Sequence, residues 1–286
     1  MTTILGIETS CDDTGIGVVQ DGCRILVNDI SSQIDVHALF GGVVPEIASR
    51  MHTEVITQMT EAALAKIDDP IDAVAFTNGP GLMGSLLVGA NFAKAFAFAK
   101  GIPSIPVHHI EGHIFSAFLQ GEAPRFPCLV LIVSGGHTQL IQCAKAHDYT
   151  VLGSTRDDAV GESFDKVARL LGLSYPGGPS IQNAAKSGDP QAVNLPRAFA
   201  KTDNLEFSYS GLKTAVLYAV RGRPEGRGRN VTYPRSAADL TQSHKADVAA
   251  SFERAAIGAL IRTIERAPDA HDVVCRSAER RAGQEC

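Results

Sequence analysis

The stretch VHHIEGH, residues 107–113, places three histidines and a glutamate in seven positions. His109 and His113 stand four residues apart. On a helix that spacing puts both imidazoles on one face, close enough to share one metal ion. His108 points elsewhere, and Glu111 lies off that face. The zincin protease pattern is H-E-x-x-H, with the glutamate directly after the first histidine as general base. Here the order is HIEGH, so the glutamate is not placed for that chemistry. The plain alternative is a polar helix face. Two histidines also do not complete a catalytic metal site, which usually takes about three protein ligands.

Two turns could handle an anion. VSGGHT, Val133 to Thr138, follows an apolar run, and Gly135 and Gly136 let the backbone approach a negative group with N–H groups turned inward. Taken alone, it is equally an ordinary β-turn. ETSCDDT sits at the matching place near the N-terminus. Its Asp12 and Asp13 could hold a metal or orient a nucleophile, or simply form the turn. Asp165, in ESFDK, could bind ribose hydroxyls or interact with a helix dipole. YPGGP, Tyr175 to Pro179, could bring backbone close to a base or sugar, or be a simple turn.

These residues need a frame. TILGIETS and TGIGVVQDG read as two strands around a polar loop, Thr9 to Thr14, and RILVNDISSQ reads as a third. Met51 to Ile67 carries apolar residues at helical spacing. IDAVAFTNGPG reads as a buried strand, and GSLLVGANFAKAFAFAKG as an apolar helix ended by Gly101. PSIPVHHIEGH is a short strand leading into a helix. Near Phe126 the pattern restarts with PCLVLIVSGGHTQLIQC, YTVLGSTRD and the helix GESFDKVARLLGL. The recurrence of strand, polar turn, strand, strand, helix is a faint internal duplication. It implies an α/β chain of two lobes like the actin, Hsp70 and sugar-kinase architecture, in which two hairpin turns grip a nucleotide's phosphates. Residues 190–239 are loop-rich and include the basic RGRPEGRGRNVTYPR. DLTQSHKADVAASFERAAIGALIRTIERA is a helix that Asp239 can cap.

Composition narrows the classes. A chain of 286 residues with 44% apolar residues can bury a sizeable core. A net charge of −5 does not make a nucleic-acid binder by bulk charge, so a local basic patch or a basic partner would have to supply that. The six cysteines form no C-x-x-C pair, which argues against zinc-ribbon and thioredoxin chemistry and for a reducing compartment. The start MTTILGIETS has no leader pattern, and no apolar run reaches the roughly 18 residues of a membrane span. A cytoplasmic location without membrane contact is the expectation.

Taken together, GIETSCDDTG, GGVVPEIASR, TNGPGLMGSLLVGANFAK, PVHHIEGH, LIVSGGHTQL, DDAVGESFDKVARLLGL, YPGGP and FSYSGLKTA resemble the TsaD family, formerly called O-sialoglycoprotein endopeptidase or Gcp. The resemblance runs from Thr3 to about Ala267. It implies a two-lobed actin-like (ASKHA) ATPase-type fold. It also implies a tRNA N6-adenosine threonylcarbamoyltransferase, which moves the threonylcarbamoyl group of threonylcarbamoyl-adenylate to N6 of adenine 37 in tRNAs reading codons that start with A. The product is t6A, and bacterial members act with the proteins TsaB and TsaE. By position, His109 and His113 match the family's histidine ligands to one divalent ion, iron or zinc. Ile132, Val133, Ser134, Gly135 and Gly136 match the segment contacting the adenylate phosphate and metal-bound substrate. Asp165 and Gly178 match adenosine-binding positions, and Asp12 matches an acidic position near the reacting centre. No covalent protein nucleophile is implied; the adenine amine attacks directly.

The pattern departs after Ala267. The family continues with a strand and a GGV-x-x-N turn, then a D-N-G segment whose aspartate is the third metal ligand. Here the sequence reads PDAHDVVCRSAERRAGQEC. It has the look of an out-of-frame read, although HDVV could imitate the start of the missing strand. The expected organisation is a first lobe at 1–125, a truncated second lobe at 126–267 and an aberrant tail without structure at 268–286. On this reading the second lobe is incomplete, the third ligand is missing, and activity is weak or absent. The rival readings are a non-catalytic remnant that binds TsaB through a helix such as Leu86 to Ala99, a metallopeptidase, and, more distantly, a sugar or acetate kinase.

Overall fold

Alternation builds the first sheet. Along β1 (Thr3–Glu8) and β2 (Asp13–Gln20) alternate side chains are buried, so Leu5, Ile7, Ile16 and Val18 face one core. β3 (Arg24–Ser32) completes an antiparallel meander. The computed structural model describes residues 1–119, 123–197, 204–226 and 232–267, and the backbone of 272–277. The chain divides into two compact units, Met1–Pro124 and Arg125–Cys286.

In the first unit a short helix, α1 (Ile34–Ala38), precedes the long α2 (Pro45–Leu64). The helical pattern had placed the start of α2 near Met51. It starts at Pro45 because proline fits the first helical turn, where its missing N–H costs nothing. β4 (Ala73–Gly79), α3 (Met83–Lys100), β5 (Ser104–His108) and α4 (His109–Ser116) follow. β4 pairs parallel with β1 and β5 parallel with β4, giving the strand order β3-β2-β1-β4-β5. Gly101 ends α3 as expected, in the left-handed region at φ 68°.

The second unit repeats this order. β6 (Cys128–Val133), β7 (Thr138–Lys145) and β8 (Asp148–Ser154) form a second antiparallel meander. Then come α5 (Val160–Leu171), α6 (Gly177–Ala185), α7 (Ser210–Arg221) and α8 (Gln242–Glu265). β9 (Asp272–Ser277) pairs parallel with β6, from Cys128↔Asp272 to Val133↔Ser277, and completes the order β8-β7-β6-β9. β9 therefore stands in the second sheet where β4 stands in the first. The helices α5, α7 and α8 close the core with Val167, Leu171, Val216, Val248 and Phe252.

Two expectations change here. The stretch after Ala267 was expected to be without structure, but Asp272–Ser277 form a strand; the adjacent Val273 and Val274 suit that conformation. Residues 268–271 and 278–286 of that stretch lie outside the described residues, as do 227–231 of the basic loop. Asp239 does not cap α8. Its carboxylate is taken by the backbone and hydroxyl of Ser236 in a one-turn 3-10 helix, Ala237–Asp239. Thr241 caps α8 instead, accepting from the His244 N–H at 3.1 Å.

Candidate functional site

β5 delivers the histidine pair. It ends at His108, and α4 begins at His109, so His109 and His113 lie one helical turn apart. Their Nε2 atoms are 3.0 Å apart and their rings are inclined at 77°. Two nitrogens bound to one zinc ion at about 2.0–2.1 Å each, in tetrahedral geometry, would lie slightly more than 3 Å from each other. The pair therefore fits two ligands of one ion. Among the described residues no third His, Cys, Asp or Glu joins them in a group that could hold a metal. His108 is exposed and stands apart from this contact.

The other end of His109 meets the first strand. Its Nδ1 lies 3.3 Å from Glu8 Oε2 and 3.2 Å from Ser10 Oγ. Glu8 also accepts from the Ser10 N–H and the Thr77 hydroxyl. Burial opposes the Glu8 charge, but the hydrogen bonds from His109, Ser10 and Thr77 outweigh it and bring the carboxyl down to about 2. Pattern reading passed over Glu8, Ser10 and Thr77. The signal was present: Glu8 and Ser10 belong to ETSCDDT, where attention fell on the paired aspartates.

Small residues lock this loop. The Leu82 N–H donates to the Ser10 carbonyl at 2.7 Å, and a Cβ on Gly81 would lie 2.5 Å from that oxygen. The Thr9 hydroxyl donates to the Ser85 carbonyl at 2.8 Å, and a methyl on Gly89 would overlap it. Beneath the loop, His52 joins the Cys11 carbonyl through Nε2 (3.0 Å) and the Thr14 hydroxyl through Nδ1 (2.7 Å). Burial depresses the pKa of His52. Asp12 does not reach the histidine pair through any of these bonds; its carboxylate lies beside the Cys11 thiol. Burial, then Asp12 and Asp13, push that thiol far up, so Cys11 stays protonated and is a poor nucleophile.

In the second unit, Ser134–His137 close the β6–β7 hairpin. The Ser134 N–H donates to the His137 carbonyl at 2.9 Å. The N–H groups of Gly136 (3.3 Å) and His137 (2.9 Å) point at Ser134 Oγ, so the inward-facing donor expected at Gly136 is engaged by its own turn. Ile132 is fully buried, a core side chain that reaches a ligand only through its backbone. The Gly161 N–H donates to the Ser134 carbonyl at 3.2 Å, and a Cβ on Gly161 would lie 2.6 Å from it, which seats the start of α5 on this turn.

Asp165 on α5 and the glycines of YPGGP are brought together. Asp165 Oδ1 accepts the Gly177 N–H at 2.6 Å, and a methyl on Gly177 would overlap the Asp165 backbone. Gly178, the next residue, has open space where a Cβ would stand. Two neighbours missed by sequence reading stabilise this region. Asp157 accepts from the N–H groups of Tyr209 and Ser210 and from the hydroxyls of Ser208 and Ser210, fixing the start of α7. Asp158 bridges Lys166 at 2.7 Å and Lys213 at 2.6 Å.

A meander with a hairpin turn and a parallel fourth strand, built twice, defines an actin-like ATPase-type fold. Component A of the (R)-2-hydroxyglutaryl-CoA dehydratase of Acidaminococcus fermentans superposes with a TM-score of 0.50 at 13% identity, over 97% of this chain and 83% of that one; this likeness concerns the fold alone. Residues 24–285 match the family model TsaD: tRNA N6-adenosine threonylcarbamoyltransferase, and the chain belongs to that family. It is 48% identical over 275 residues to the tRNA N6-adenosine threonylcarbamoyltransferase of Bacillus cereus, covering 95% of this chain and 76% of the relative. It is 49% identical over 272 residues to that of Anaeromyxobacter dehalogenans, covering 93% and 77%.

Proposed function

We propose that this chain transfers the threonylcarbamoyl group from threonylcarbamoyl-adenylate to N6 of adenine 37 in tRNAs reading codons that start with A. The observation that carries this is the match to the transferase family along residues 24–285. The match continues through 268–285, where the sequence pattern departs, so it gives no support to an expected loss of activity.

His109 and His113 would hold one divalent ion, iron or zinc, through the Nε2 atoms that face each other. When bound, that ion supplies Lewis acidity toward substrate oxygens. The Ser134–Gly136 turn receives the adenylate phosphate, and Ile132 and Val133 place that turn at the end of β6. Asp165 binds ribose hydroxyls, and the open side of Gly178 admits the adenosine. Asp12 is the acidic group near the reacting centre. Adenine N6 attacks the carbamoyl carbon directly, the bond from that carbon to the phosphate oxygen breaks, AMP leaves with its electron pair, and one N6 proton is released to solvent.

The tRNA surface is assigned to the end of α7. Arg221, Arg223 and Arg235 are exposed there. The Arg221 guanidinium stands 5.8 Å from the centre of the Tyr233 ring. Glu225 and Thr232 exchange two backbone hydrogen bonds of 2.9 Å as an isolated antiparallel bridge. Arginines with interleaved aromatic rings suit phosphate contact and base stacking. TsaB and TsaE are the protein partners, and the cytoplasm is the location. No described helix is long and apolar enough to cross a membrane.

The test is reconstitution with TsaB, TsaE, threonylcarbamoyl-adenylate and a tRNA transcript, read by mass spectrometry of the nucleosides. Formation of t6A, absent when residue 37 is guanine, supports the reading. Failure on every adenine-37 tRNA overturns it.

A second reading, a TsaB-binding protein without catalysis, draws on α3. Leu86 belongs to the buried side of that helix, while Met83, Leu87 and Phe98 are exposed at 73%, 52% and 91% at helical spacing. TsaB binding without t6A formation would favour this reading.

A further inference from the structure

We infer that Glu8 is the positioning residue for His109: it takes the proton-bearing Nδ1 of His109 and leaves the Nε2 lone pair facing His113. Glu8 is the last residue of β1, and His109 opens α4, so the pair is 101 positions apart in sequence. Both carboxylate oxygens are anchored. Oε1 accepts the Ser10 N–H, and Oε2 accepts the Thr77 hydroxyl from the neighbouring β4. The same Oε2 stands 3.3 Å from His109 Nδ1.

An ionised carboxylate only accepts hydrogen bonds. The neutral imidazole that satisfies this contact carries its hydrogen on Nδ1 and none on Nε2. Ser10 Oγ, 3.2 Å from the same nitrogen, is a second acceptor for that hydrogen. The tautomer set on one side of the ring thus decides what the other side offers. His109 Nε2 becomes an acceptor toward His113 Nε2, 3.0 Å away. A bare nitrogen there is what a cation requires of a histidine, and an outer carboxylate both orients the ring and raises its basicity. The role in metal binding rests on the proposed function; the hydrogen-bond geometry does not.

Two measurements test this, each with the full chain. The first is nitrogen-15 NMR of the His109 ring in metal-free wild-type protein. The Nδ1–H tautomer is expected, and the Nε2–H tautomer overturns the inference. The second is zinc affinity by chelator competition. Glu8→Gln can offer an amide N–H to His109, and its Kd for zinc is expected to rise about 10–100-fold, with Glu8→Asp recovering part of the loss. The metal-free Glu8→Gln protein is expected to melt below wild type, because the ionised carboxylate's hydrogen bonds stabilise the fold, so zinc affinities are compared at a temperature where both proteins are folded. A folded Glu8→Gln protein with wild-type zinc affinity overturns the inference. If Glu8→Gln does not fold, the tautomer measurement decides alone. Wild-type protein that binds no zinc yet shows the Nδ1–H tautomer sinks the metal reading and leaves the role of Glu8 standing. Zinc binding together with the Nε2–H tautomer does the reverse.

Discussion

The Nε2 atoms of His109 and His113 lie 3.0 Å apart across one turn of α4, with rings inclined at 77°. Without an ion between them, one nitrogen must donate to the other. With an ion, both lone pairs converge on it. Replacing either histidine by alanine should lower zinc affinity by more than the roughly 10–100-fold cost of losing an outer partner. The metal content after dialysis and the yield of t6A should fall together. Both rings are half-buried; in the metal-free protein His113→Ala should move the unfolding midpoint little, whereas His109→Ala also removes a partner of the Glu8 carboxylate and should lower it.

Gly177 and Gly178 are neighbours with opposite surroundings. A methyl on Gly177 overlaps the Asp165 backbone, whereas one on Gly178 meets nothing within 4 Å. Gly177→Ala must push α6 off α5 and should cost about 1–3 kcal/mol in a urea titration. Gly178→Ala should stay within about 0.5 kcal/mol of wild type. If adenosine packs on that open side, Gly178→Ala weakens adenylate binding at unchanged stability. Unchanged binding would remove Gly178 from the site.

Burial holds His52 neutral, with its pKa below the ordinary value of about 6.5. As pH falls through about 6.5 the unfolded chain takes up a proton that the folded chain does not. Folding stability from this group is therefore present above that pH and declines below it, by up to about 1.4 kcal/mol per pH unit. Glu8, at about 2, contributes its loss only at much lower pH. Urea unfolding between pH 7.5 and 5.5 should show the decline, and His52→Asn should flatten it.

Arg221 and Arg223 stand exposed at the end of α7. If they contact phosphates, Arg221→Gln and Arg223→Gln should each weaken tRNA binding. Each should also reduce the slope of log affinity against log salt by about one. The turnover of bound tRNA should be unaffected. An unchanged slope in both variants places the tRNA elsewhere.

Much of this protein could be read along the chain, because the relevant physics is local. Leu5 and Ile7 stand two apart in TILGIE, and both fall on the alternately buried positions of β1. The four-residue spacing of His109 and His113 fixes a shared face as soon as the segment is helical. The recurrence of strand, turn, strand, strand, helix pointed to two similar sheets, and their orders, β3-β2-β1-β4-β5 and β8-β7-β6-β9, share one plan.

Other features depend on which of several possible partners a group takes, and some of those partners lie far along the chain. Glu8 reaches His109, and Thr77 reaches Glu8, because β1, β4 and β5 lie side by side in one sheet. Asp239 looked like a helix cap, but the nearby Ser236 took its carboxylate and left α8 to Thr241. Gly136 looked like an anion donor, but the Ser134 hydroxyl engaged its N–H. Asp272–Ser277 showed no clear period because one short strand has too few residues to show one, and pairing with β6 supplied the order. In each case the partner that a hydrogen-bonding group took, whether two residues or 101 away, set its role more than its residue type did.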